Sequence, residues 1–353
     1  MAGSGCGEFF CGRAHKPVRG SYIEIKERGQ MTAEDLKRLF TRTVPGAAAV
    51  GVSAKSQYQA SCSLPEMSDL RDIQEIRIRA GRPIILHIDG NECLMETWAD
   101  SVLIREFLEI FSKHSLYAYE DEIRQGYLTI EGGHRVGIAG KVVLDEITGR
   151  IRTIKDISAL NIRIAHERIG CADQVMQHLY ERQQFQNTLL ISPPGAGKTT
   201  LLRDVIRQVS DGNVYGHGQN VSVVDERSEL GACYRGVPQC DLGMRTDVMD
   251  GCPKVQGMLM MIRSMAPEVL AVDEIGTMAD LEALRDVMKC GCRIVATEHG
   301  DSVEDLRKKP VLSEMLEENM FSRFAVLSGI PKAGTVIGIY KKEEDRICAI
   351  SEF

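Results

Sequence analysis

The sequence predicts an α/β protein: a parallel sheet covered by helices on both faces, preceded by a smaller α+β domain. Two observations carry this expectation. From residue 188 onward, short apolar runs alternate with longer helical patterns. Thr188–Ile191, Val221–Asp225, Val269–Asp273 and Arg293–Thr297 read as strands, while Thr199–Val209, Gln256–Met265 and Met278–Lys289 read as helices. A parallel strand pair needs a crossover, usually a helix, so this alternation implies a parallel sheet. Before residue 170 the pattern differs, because brief strands with period-two alternation follow one another through glycine turns.

The smaller domain builds up in order. Ile76 and Ile78 alternate with Glu75, Arg77 and Arg79, the period of a half-buried strand. Pro83–Ile88 and Glu92–Trp98 continue as strands, with Asp89, Gly90 and Asn91 as the hairpin turn. Val102, Leu103, Phe107, Ile110 and Phe111 mark one face of a helix. Strands follow near Tyr127–Ile130, Val136–Ala139 and Asn161–Ala165. Cys171–Glu181 reads as a helix near the domain junction. Phe324–Leu327, Val336–Tyr340 and Cys348–Ile350 read as closing strands. Met1–Gly20 reads as a loose tail and Val44–Pro65 as a linker. The division is therefore 1–65 tail and linker, 66–168 the α+β domain, and 169–353 the larger α/β domain.

The 353 residues carry a formal net charge of −7, which argues against a nucleic-acid partner that binds through a uniformly basic surface. Eleven scattered cysteines without a Cys-x-x-Cys pair argue for a reducing cytoplasm and against zinc. Cys93, Cys171 and Cys348 read as small buried hydrophobes. No apolar run approaches the roughly 18 residues that an integral membrane segment needs.

The chemistry concentrates in Ser192-Pro193-Pro194-Gly195-Ala196-Gly197-Lys198-Thr199-Thr200. This segment lies between an apolar strand and a helical run, the context of a P-loop. Backbone N–H groups of such a loop point at phosphate oxygens, and glycines allow the tight turn. Lys198 is expected to reach the β- and γ-phosphates of ATP, and Thr199 to ligate Mg2+. Ser192 stands where the usual pattern has its first glycine. Downstream, Val269–Val272 ends in Asp273 and Glu274, a Walker B element. Asp273 is the second expected metal ligand, and Glu274 the expected general base. Two further strand ends contribute Asp225 or Glu226 as a support for the metal or the water, and Thr297 or His299 as a γ-phosphate sensor. Glu226 and His299 complete the catalytic candidates.

Several segments resemble the stage III sporulation protein AA family: Asp225–Glu229, Gly243–Lys254, Met261–Pro267 and Val272–Gly276, with Glu75–Arg79, Leu116–Glu120, Gly132–Val136 and Asn161–Ile164 in the smaller domain. The resemblance implies a RecA-like P-loop ATPase domain similar to type II and type IV secretion motors. It also implies a homo-oligomer, a hexameric ring, which powers a channel complex between mother cell and forespore. Such a protein works from the mother-cell cytoplasm, peripherally associated with membrane proteins of that complex. Ring ATPases of this kind complete the site with an arginine finger from a neighbour or the preceding domain. Arg227, Arg245 and Arg263 lie in or beside the site segments and Arg135 and Arg163 in the smaller domain, and of these Arg135, Arg163 and Arg245 are the candidates for a finger acting in trans. The competing readings are a nucleic-acid-dependent P-loop ATPase and an inactive structural ring subunit.

Overall fold

The computed structural model describes residues 73–88, 91–113, 119–343 and 346–352. The tail and linker at 1–65, the turn residues Asp89 and Gly90, and Leu116–Ala118 of one resembling segment lie outside the described residues.

The described chain opens with β1 (Ile73–Arg79), β2 (Arg82–Ile88) and β3 (Asn91–Ala99). Next come α1 (Ser101–Phe111), α2 (Glu120–Arg124), β4 (Tyr127–Ile130), β5 (His134–Leu144) and β6 (Ile151–Arg163). The six strands form one antiparallel sheet in the order β3-β2-β1-β6-β5-β4. One face buries Ile76, Ile78, Ile84, Leu128, Leu160 and Ile162 against Phe107 and Phe111 of α1. Asp100 caps α1 by accepting the Leu103 N–H at 2.8 Å. β5 and β6 run well past the expected strands. Their outer halves form a ribbon with Leu144 and Ile151 exposed, so no core-facing period marks it in the sequence.

The second half begins with α3 (Asp173–Leu179), β7 (Tyr180–Glu181), β8 (Gln184–Phe185), β9 (Thr188–Ser192), α4 (Lys198–Asp211), β10 (Val221–Asp225) and β11 (Thr246–Asp250). It continues through α5 (Lys254–Ser264), β12 (Val269–Val272), α6 (Met278–Lys289), β13 (Arg293–His299), α7 (Val303–Arg307) and α8 (Pro310–Glu317). It closes with β14 (Arg323–Ser328), β15 (Thr335–Glu343) and β16 (Arg346–Glu352). The sheet order is β11-β10-β12-β13-β9-β14-β15-β16. The first six strands are parallel, and β15 and β16 add antiparallel at one edge. This is an α/β arrangement, a mostly parallel sheet covered by helices, behind a smaller α+β unit, as the sequence predicts.

Period two within each strand feeds two separate cores. Leu189, Ile191, Leu270, Val272 and Ile294 pack with α5, α6 and α8 on one face. Leu190, Val223, Val269, Ala271 and Val295 pack with α3 and α4 on the other. Each fully buried aliphatic side chain contributes about 1.5–3 kcal/mol relative to exposure.

Three expectations are corrected. Helix α3 ends at Leu179, because Tyr180 turns extended and pairs with Phe185. Cys348 is exposed, since it lies on the edge strand β16, and Cys171 is only partly buried, whereas Cys93 is buried. Strand β11 and helices α7 and α8 have no counterpart in the sequence reading.

The order of strands positions the site. β13 lies between β9 and β12, so the loop after β9, the end of β12 and the end of β13 converge at one edge. Ligands in open parallel sheets bind outside such carboxyl ends.

Candidate functional site

The loop after β9 turns through Gly195 (φ +74°) and Gly197 (φ +88°) into the N-terminus of α4. Both glycines occupy the left-handed region that side chains disfavour. A Cβ on Gly197 would also lie 2.8 Å from the backbone nitrogen of Gly334. The Gly334 N–H donates to the Ala196 carbonyl at 2.7 Å, so the β14–β15 connection braces the loop. Ser192 is the last residue of β9, fully buried and in extended conformation. A strand residue there needs no glycine, which accounts for its departure from the usual pattern. Pro193 and Pro194 carry the chain from strand to turn. Thr200 sits in the first turn of α4, where its carbonyl accepts from Cys171.

Lys198 opens α4 and is 6% exposed. Its Nζ lies 3.4 and 3.5 Å from the two ring nitrogens of His299 and 3.9 Å from Glu274 Oε1. Burial pushes its pKa down, against the pull of Asp273, Glu274 and Glu298. The Thr199 hydroxyl donates to Asp273 Oδ2 at 3.1 Å. Two oxygen ligands therefore meet where helix α4 faces the end of β12. A hydroxyl and a carboxylate suit Mg2+, which binds through few protein oxygens together with phosphate and water.

Glu274 has φ +53°, a left-handed conformation in a residue with a Cβ. Strain of this kind costs about 1–3 kcal/mol and persists only where the surroundings impose it. Here its N–H donates to Thr297 Oγ1 at 2.9 Å, and its carbonyl accepts from Lys254. Its Oε1 lies 3.0 Å from His299 Nε2, and its Oε2 lies 2.9 Å from Arg227 Nη1. Partial burial raises the pKa of this carboxyl, but Arg227, Lys198 and His299 outweigh that effect and hold it below the usual carboxylate range. Glu274 is therefore ionised at neutral pH, in reach of Lys198.

The structure brings Lys198, Thr199, Asp273, Glu274 and His299 into one cluster. Glu226 stands beside it, with Lys254 at 3.8 Å as its charged neighbour. Two alternatives are corrected. The Asp225 carboxylate is 2% exposed and accepts the N–H groups of Glu229, Leu230 and Gly231, so it caps a turn rather than facing metal or water. Thr297 is fully buried. It donates to Asp273 Oδ1 and accepts from Glu274, so it braces both acids instead of sensing phosphate.

The three candidate arginines lie apart. Arg135 stacks on Tyr127 at 3.9 Å and reaches Arg227 O and Glu229 of the same chain, both at 3.4 Å. Arg163 is 63% exposed at the end of β6, 4.0 Å from Glu75. Arg245 donates to the Ser210 carbonyl at 2.9 Å. Ser210 is twelve residues along α4 from Lys198, roughly 18 Å at helical rise, so Arg245 cannot serve its own chain's loop. Two further cations reach Glu274: Arg227, one of the five arginines that the sequence offers as a source of the site's cation, and Lys254, which sequence reasoning missed. The signal for Arg227 is the charge cluster after β10, but the bend that aims it is invisible in sequence.

The family model for sporulation stage III, protein AA, matches residues 62–347. Stage III sporulation protein AA of Bacillus subtilis (strain 168) is 43% identical over 295 residues, covering 83% of this chain and 94% of that protein. An uncharacterized protein ycf45 of Porphyra purpurea is 28% identical over 187 residues, covering 52% of this chain and 31% of that protein. Among solved structures, the Legionella pneumophila ATPase DotB is similar at a TM-score of 0.49 and 14% identity, covering 79% of this chain and 75% of that chain. A likeness at that level says nothing about activity.

Proposed function

The chain belongs to the sporulation stage III protein AA family, and on that premise we propose that it hydrolyses ATP with Mg2+ as a ring-forming motor. The observation that carries the reading is the convergence of Lys198, Thr199, Asp273 and Glu274 at the carboxyl ends of β9 and β12. In this reading the chain divides near residue 168, and residues 169–353 form the ATPase domain.

Backbone N–H groups of Gly195, Gly197 and Lys198 at the N-terminus of α4 bind the phosphates, and Lys198 holds the β- and γ-oxygens. Thr199 and Asp273 would hold Mg2+, which when bound would offset the phosphate charge. Glu274 takes a proton from a water whose oxygen attacks the γ-phosphorus. The bond from γ-phosphorus to the bridging oxygen breaks, and ADP and phosphate leave. Thr297 keeps Asp273 and Glu274 in register, and His299 positions Glu274 beside Lys198.

The biological setting follows the family. We assign the chain to a hexameric ring on the mother-cell side, acting on membrane proteins of a channel complex to the forespore. Among the described residues no helix is long and apolar enough to cross a membrane, so attachment to that complex is proposed to be peripheral. Of Arg135, Arg163 and Arg245, we assign the in-trans finger to Arg163, whose exposed guanidinium is the least engaged by its own chain. Light scattering with and without a non-hydrolysable ATP analogue tests the assembly. A hexamer favoured by the analogue supports the ring, and a monomer under both conditions refutes it.

A further inference from the structure

Arg227 carries a further inference, which rests on the ATPase reading. Its Nη1 contacts Glu274 Oε2 at 2.9 Å, while Glu274 Oε1 faces Lys198 and His299. Glu274 thus stands between the P-loop lysine and a guanidinium. Lys198 and Arg227 therefore approach one carboxylate from its two oxygens, 3.9 and 2.9 Å away. The fork has five N–H donors, and the side chain is 63% exposed, so contact with Glu274 leaves capacity for an anion.

Exposed ion pairs commonly contribute little, and that is the competing account. The backbone beneath Arg227 argues against it. Asp225 takes the N–H groups of Glu229, Leu230 and Gly231 at 2.8–2.9 Å. Arg203 of α4 takes the carbonyls of Glu229 and Leu230 at 2.8 and 3.0 Å. Arg135, set on Tyr127, donates to the carbonyl of Arg227 itself. Ser228, the next residue, is left-handed at φ +54°. A turn held from the sheet, from the P-loop helix and from the smaller unit presents Arg227 in a fixed direction, which an incidental surface pair does not require.

We propose that Arg227 binds the γ-phosphate from within the same chain, sharing it with Lys198, and that Arg135 is a positioning residue for the Arg227 turn. The inference supplies a cation in cis, beside any finger contributed by a neighbour.

The test compares the full chain with Arg227→Ala and Arg227→Lys. Steady-state phosphate release gives kcat and KM, and fluorescence titration gives affinities for ADP and a non-hydrolysable ATP analogue. Arg227→Ala is expected to lower kcat about 100- to 1,000-fold, the range for loss of one preorganised donor to transition-state charge. It should weaken the analogue about tenfold while ADP affinity, which also reports the fold, stays at the parent value. Arg227→Lys should restore part of both, since it keeps the charge and loses the fork. An unchanged ratio of analogue to ADP affinity overturns the inference, whatever kcat does, and so does equal weakening of both nucleotides. If the parent itself neither binds nor hydrolyses ATP, the ATPase reading fails first. If the parent is active and the variant matches it, this inference alone fails.

Discussion

Thr199 Oγ1 donates to Asp273 Oδ2 at 3.1 Å, joining the first turn of α4 to the end of β12. The two residues are 74 positions apart. Strand β13 separates their parent strands, and its Thr297 closes the link by donating to the other Asp273 oxygen. The geometry makes each component of the site testable on its own.

Lys198 tests nucleotide binding. Lys198→Ala should remove most binding or turnover while the fold persists, because the side chain ends among His299 and Glu274 and not in either apolar core. Titration with a fluorescent ATP analogue and thermal melting check the two halves. Parental turnover in a folded variant would exclude the P-loop from catalysis.

Glu274 tests chemistry apart from binding. Glu274→Gln keeps size and hydrogen bonding and loses the base. It should bind ATP and release phosphate on the order of a hundredfold more slowly. Normal turnover would move the base elsewhere, with Glu226, 3.8 Å from Lys254, as the next residue to examine.

Much of this site is legible in the sequence, and the reason is local. The P-loop residues are contiguous, and β9, β10, β12 and β13 are apolar because both faces are buried. What escapes notice depends on tertiary surroundings. β11 reads Thr-Asp-Val-Met-Asp, an edge strand that is only partly buried, so it has neither an apolar run nor a clean alternation. The ribbon of β5 and β6 leaves the core behind. Arg227 is visible as a charge, yet its aim at Glu274 depends on Asp225 folding the following residues back over itself. Thr297 invites a phosphate-sensing role by position alone, and only its hydrogen bonds reveal a brace.

That brace gives a prediction. Thr297→Val is nearly isosteric and removes the hydroxyl shared by Asp273 and the Glu274 N–H. Leaving those groups underpaired should cost about 1–3 kcal/mol of stability. Reorienting Asp273 should raise the Mg2+ concentration for half-maximal activity by about 10-fold, the lower end for loss of a ligand's supporting bond. Magnesium titration of activity and a denaturant melt measure both. An unchanged magnesium requirement would reduce Thr297 to packing.

The pH profile follows from Glu274. Its pKa lies below the usual carboxylate range despite burial, because Arg227, Lys198 and His299 favour the ionised form. A carboxyl depressed in the fold contributes stability above its unfolded pKa, and the contribution disappears as pH falls through the folded value. The base should likewise stay ionised to below the ordinary range. Arg227→Ala removes the foremost of these attractions, so the acid limb of its kcat profile should lie at higher pH than the parent's. Superimposed limbs would contradict the pairing.

Sharing of sites between subunits is tested by mixing. An Arg163→Ala chain and a Lys198→Ala chain, each inactive alone, should regain partial activity in mixed rings, where some interfaces pair an intact loop with an intact arginine. Mixed assembly is verified by differential tagging. No recovery in proven mixed rings would mean that Arg163 supplies no cation across the interface.

The central claim is magnesium-dependent ATP hydrolysis at the carboxyl ends of β9 and β12, and phosphate release by the purified full chain tests it most directly. The parent should release phosphate from ATP with Mg2+ and stop when the metal is chelated, while Glu274→Gln should stay near background under both conditions. Phosphate release that survives chelation, or that is equal in Glu274→Gln and the parent, would contradict the account.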